Sequence, residues 1–137
     1  MIVLSWNCRG LGNPRVVRAL SDLTRKEVPN CVFLVETCLM TQEMEQIRKR
    51  LHFKNCLTVN PEGRKGGLAM LWDENLIARV VSFSNSHIDM IFGDNNSSDS
   101  WLLIGIYGQP CNTPRPQGGY VALLSIQYTK QWPGLAI

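Results

Sequence analysis

The chain has 137 residues, 45% of them hydrophobic and 18% charged, with a net charge of +3. This length supports one domain with a real core, expected to span residues 1–137, and the apolar content excludes a disordered chain. The modest positive charge permits a polyanionic partner without demanding one.

The first run, "MIVLSW", predicts a buried strand over residues 2–6, ending at Asn7. Asn13 followed by Pro14 is a helix start, because an asparagine caps free N–H groups and proline suits the first helical position. Val16, Val17, Leu20 and Leu23 then recur at helical spacing, with charges on the opposite face, until Pro29 and Asn30 close the segment. "CVFLVE" predicts a second buried strand over 31–36. Thr41 opens a second helix with Met44, Ile47 and Leu51 as its apolar stripe. Glu43 and Glu45 lie early in it and Arg48, Lys49 and Arg50 late, as the helix dipole prefers, and His52 ends it. Strands are predicted at 53–59, 67–72, 77–83, 87–92 and 101–107, separated by the turn clusters "NPEGRKGG", "DEN", "SNS" and "GDNNSSDS". Tyr120, Leu123, Leu124, Gln127 and Tyr128 predict a third helix over roughly 118–129, broken by "QWPG", with "LAI" beginning a further strand. The order β-α-β-α, strand meander, α is that of an α/β protein with a mixed sheet.

The five cysteines, Cys8, Cys31, Cys38, Cys56 and Cys111, are odd in number, form no C-x-x-C pair and have no histidine cluster beside them. This argues against a zinc site and a disulfide framework and suits a reducing compartment. No apolar run nears the roughly 20 residues of a membrane span, and the N-terminal run lacks a basic leader. An intracellular protein with no membrane segment and no disulfide partner is expected.

Two polar residues stand at matching places. Asn7 ends the first strand and Glu36 the second. If those strands are parallel neighbours joined by the 14–27 helix, both side chains emerge at one sheet edge, where open α/β sheets bind ligands. A carboxylate there is able to hold a hard cation such as Mg²⁺, and an amide beside it to bond a phosphate oxygen or orient the carboxylate. The alternatives are a turn role for Asn7 and a solvated strand end for Glu36. Tyr107, in "GIYGQP", ends a third apolar strand; its hydroxyl either meets a phosphate or is buried and satisfied.

Taken together, "SWNCRGL", "FLVET", "GGLAMLW" and "IGIYGQP" resemble the endonuclease/exonuclease/phosphatase superfamily, whose fold is DNase I-like. The resemblance is strongest to the endonuclease domain of plant non-LTR, LINE-type retrotransposon polyproteins. It implies a DNase I-like α/β/β/α four-layer sandwich and a Mg²⁺- (or Mn²⁺-) dependent phosphodiester hydrolase acting on DNA. It further implies that Glu36 is the principal metal ligand, that Asn7 helps bind the metal or phosphate, and that Tyr107 contacts the scissile phosphate. Arg9 and the 62–67 loop, with Arg64 and Lys65, would lie near the groove for the nucleic-acid backbone. A nuclear location would follow from such a substrate.

The family also has a G-D-x-N motif after the tyrosine strand, and later an S-D-H motif carrying the base. This sequence ends at "QWPGLAI", a stretch that in the family leads into G-D-x-N. The expectation is therefore a domain cut short in its C-terminal half and catalytically incomplete, or else a non-catalytic binding remnant. "GDNN" at 93–96 has the right letters but precedes Tyr107, and is expected to be a hairpin turn. His87 and Asp89, in "NSHIDM", are expected to lie opposite Ile88, Met90 and Phe92 in an ordinary strand.

Overall fold

The computed structural model describes residues 2–63, 66–94, 100–108 and 120–128. The chain divides into two compact units, Met1–Glu74 and Asn75–Ile137.

The first unit holds strands β1 (Val3–Asn7), β2 (Cys31–Val35), β3 (Asn55–Val59) and β4 (Leu68–Trp72), with helices α1 (Pro14–Glu27) and α2 (Thr41–Leu51). Its sheet has the order β1-β2-β4-β3. β1 and β2 run parallel, with Asn7 level with Val35, and the other pairs are antiparallel. The condition of parallel neighbours joined by a helix is thus met.

Local signals explain both helices. The Asn13 carboxamide oxygen accepts from the Arg15 N–H at 2.9 Å, and Pro14 opens α1, which ends on Val28 in the left-handed region. The start of α2 is held differently. Met40 is its N-cap, and the Glu43 carboxylate accepts from the Met40 N–H at 3.2 Å. The Asn60 carboxamide oxygen accepts from both the N–H and the hydroxyl of Thr41. These contacts satisfy N–H groups that a helix leaves open at its start. His52 caps the other end with φ +65°.

The two helices close one core with the sheet. Val17 and Leu20 of α1 and Met44 and Leu51 of α2 cluster with Val32, Leu34, Ala69 and Leu71. All five β2 residues are fully buried, which is why its sequence is continuously apolar rather than alternating.

The second unit is an antiparallel sheet of β5 (Ala78–Phe83), β6 (His87–Phe92), β7 (Ser100–Gly108) and β8 (Tyr120–Tyr128), in that order. Here one expectation is overturned. Residues 120–128, predicted as a helix, form β8, paired with β7 from Gly108↔Tyr120 to Ser100↔Tyr128. The stretch carries aromatic and β-branched residues and no capping residue. Pairing with the free edge of β7 outweighs its weak helical spacing.

Ile88, Met90 and Phe92 are buried, as their alternation predicts. On the other face the Ser82 hydroxyl donates to the Asp89 carboxylate at 2.9 Å and lies 3.1 Å from His87 Nε2. Ser84 Oγ lies 2.5 Å from His87 Nδ1. The histidine is thereby bound into its own hairpin. Gly93 and Asp94 of "GDNN" lie in the β6–β7 connection, and residues 95–99 fall outside the described residues.

Candidate active site

The register of the first sheet brings four strand ends into one row: Asn7, Val35, Leu68 and Val59. The loops that leave this row carry Arg9–Gly10, Glu36–Cys38 and Gly66–Gly67. They are tied to one another main chain to main chain. Cys8 N–H donates to Val35 O at 2.9 Å, Gly10 N–H to Glu36 O at 2.8 Å and Leu11 N–H to Thr37 O at 2.9 Å. From the other side, Thr37 N–H reaches Gly67 O at 3.2 Å and Cys38 N–H reaches Gly66 O at 2.9 Å. Glu36 therefore sits in a segment braced from two directions.

The backbone here is unusual. Arg9 (φ +50°), Glu36 (+52°) and Cys38 (+56°) hold left-handed conformations, and Gly10 (+98°), Gly66 (+92°) and Gly67 (+91°) also have positive φ. Each non-glycine residue in that region costs about 1–2 kcal/mol, which the surrounding hydrogen bonds must offset. Strain of this kind concentrates at functional sites.

The sheet brings Asn7 and Glu36 to the same edge, both half-buried. The Asn7 carboxamide oxygen accepts from the Arg9 N–H at 3.0 Å, which fixes its side chain and leaves one lone pair of that oxygen. The Arg9 side chain is exposed. The Cys8 thiol is pushed up to about 12, first by burial and then by the fields of Cys38 and of the Glu36 carboxylate.

Tyr107 belongs to the second unit, near the end of β7, where its N–H donates to Ser86 O at 2.7 Å. Arg64 and Lys65 lie outside the described residues.

The donor set suits one kind of cation. Among the described residues no group of three or more histidine, cysteine, aspartate or glutamate side chains is placed to hold a metal. A closed protein cage is thus missing from the described residues. One carboxylate and one amide oxygen at the same strand-end edge fit Mg²⁺, which takes few protein ligands. Cys8, Cys31, Cys38 and Cys56 carry free thiols. No helix among the described residues is long and apolar enough to cross a membrane.

The fold, with two sheets and mixed α/β composition, is of the DNase I-like kind. It is shared with the crystal structure of the AP endonuclease LMAP from Leishmania major. The TM-score is 0.52 at 17% sequence identity, over 70% of this chain and 37% of that one. TDP2 from C. elegans also aligns, with a TM-score of 0.43 and 21% identity over 66% of this chain and 30% of that one. The chain thus spans well under half the length of either. No family model matches the sequence, and no curated protein does.

The sequence did not reveal the Gly66–Gly67 brace, the left-handed Glu36 or the Asn60–Thr41 contact. "NPEGRKGG" signals only a turn.

Proposed function

We propose that this chain carries part of a Mg²⁺-dependent phosphodiester hydrolase of the endonuclease type, derived from a LINE-type retrotransposon polyprotein and directed at DNA. The observation that carries this reading is the meeting of Asn7 and Glu36 at one sheet edge, in a loop cluster held with positive φ. The four sequence blocks and the fold likeness to an AP endonuclease support it. A DNA substrate would place its work in the nucleus.

In this reading Glu36 supplies the anionic oxygen for the cation. Asn7 has a lone pair left for the same ion, and its NH₂ group is a donor for a phosphate oxygen. Tyr107 offers a hydroxyl to the scissile phosphate. Arg9, Arg64 and Lys65 supply charge to the backbone of the strand. When bound, the ion would polarise a phosphoryl oxygen and offset the charge that develops on it.

Residues 1–137 contain no G-D-x-N after Tyr107 and no S-D-H block. By themselves they bind DNA without cutting it, because catalytic groups that act as a unit lose most of their rate when some are missing. A plasmid-nicking assay with Mg²⁺, run beside salt-dependent DNA retention, tests this. Retention without nicking is expected. Nicking that vanishes in Glu36→Ala would show a complete enzyme in these residues. Neither retention nor nicking would defeat the reading.

A further inference from the structure

We infer that Gly67 is a positioning residue for Glu36: its lack of a side chain lets the 66–67 backbone lock the Glu36–Thr37–Cys38 turn. The inference rests on the reading of Glu36 as a metal ligand, and it adds a part that neither motif letters nor fold likeness assign.

A Cβ on Gly67 would lie 2.5 Å from Thr37 Oγ1 and 3.2 Å from the Cys38 nitrogen. Thr37 is fully buried and its Oγ1 accepts from the Leu39 N–H at 3.4 Å, so it has no room to retreat. Gly67 also holds φ +91°, which L side chains rarely adopt. Its carbonyl accepts from Thr37 N–H, and the neighbouring Gly66 carbonyl accepts from Cys38 N–H. Any side chain at 67 must push the turn away from those two carbonyls, and the left-handed Glu36 sits at the start of that turn. Gly67 precedes β4, which begins at Leu68, so the sheet register does not depend on it.

Two other glycines calibrate the effect. Gly66 has φ +92° and Gly63 φ +68°, yet a Cβ at either meets nothing within 4 Å. Both test backbone strain without crowding, and only Gly66 touches the turn.

The experiment compares Gly67→Ala, Gly66→Ala and Gly63→Ala in the 137-residue chain by amide hydrogen exchange and by Mn²⁺ titration. In Gly67→Ala the Thr37 and Cys38 amides should lose protection while the β2 and β4 ladder amides keep theirs. Mn²⁺ affinity should fall by about 10- to 100-fold, the usual result of losing a ligand's support. Gly66→Ala should show a smaller loss at Cys38, and Gly63→Ala none. Unchanged Thr37 and Cys38 protection in Gly67→Ala would overturn the inference. Should Gly67→Ala fail to fold, the double variant Gly67→Ala with Thr37→Ala, which removes the Oγ1 that the new Cβ meets at 2.5 Å, should recover folding, and no recovery would overturn the inference. If the wild-type chain binds no Mn²⁺, the metal reading fails, while the exchange pattern still judges the brace.

Discussion

Gly10 and Glu36 are joined main chain to main chain: the Gly10 N–H donates to the Glu36 carbonyl at 2.8 Å, and both residues hold positive φ. With the flanking bonds from Cys8 N–H to Val35 O and from Leu11 N–H to Thr37 O, this bond continues the parallel pairing of β1 and β2 past their ends. It turns two separate strand termini into one surface bearing Asn7, Arg9 and Glu36.

The left-handed Glu36 implies a trade between stability and function. Replacing it by glycine removes a conformational cost of about 1–2 kcal/mol and adds an unfolded-state entropy cost of about 0.5–1 kcal/mol. Glu36→Gly should therefore unfold at the same urea concentration as the wild type or a higher one, while losing divalent-ion binding. A clear drop in the urea midpoint would show that the carboxylate stabilises the fold instead.

The buried thiols give a pH signature. Cys8 is pushed from 9.0 up to about 12, mainly by burial. Cys31 is likewise pushed from 9.0 up to about 12, by burial and then by the field of Asp73. Both shifts favour the neutral thiol in the folded chain. Their stabilising contribution is therefore complete below pH 9 and is lost as pH rises from 9 toward 12, because the unfolded chain releases those protons first. The slope is about 1.4 kcal/mol per pH unit for each thiol. Urea melts across that window should show the decline, and Cys31→Ala should roughly halve its slope, leaving the part due to Cys8.

Thiol labelling follows from the same geometry. At pH 8 the exposed Cys38 should react promptly with a disulfide reagent, while Cys8 and Cys31 wait for unfolding. Counting the thiols titrated before and after denaturant checks this directly.

Leu20 is fully buried at the α1 contact with the sheet. Leu20→Ala should cost about 2–5 kcal/mol, a large share of what a unit of this size holds. Asn13→Ala, which removes only the α1 cap, should cost about 1 kcal/mol. Chemical denaturation should rank the two in that order.

Much of the first unit is legible in the sequence because its signals are local. Asn13–Pro14 starts α1, the stripe of Met44 and Leu51 defines α2, and "CVFLVE" is too apolar for anything but a buried strand. Asn7 and Glu36 are legible as candidates because they are polar residues closing apolar runs. What the sequence hides is set by distant partners. Residues 120–128 look helical until the edge of β7 is present to pair with them. The importance of Gly67 depends on Thr37, which lies far from it in the chain and meets it directly only once the sheet has brought the two loops together.

The central claim is that Asn7 and Glu36 form one hard-cation site at the sheet edge. Titrating Mn²⁺ into the isotopically labelled chain and reading amide broadening by NMR tests it most directly. Broadening should centre on Cys8, Glu36 and Thr37, saturate, and disappear in Glu36→Gln. Broadening centred elsewhere, or none at millimolar metal, would contradict it.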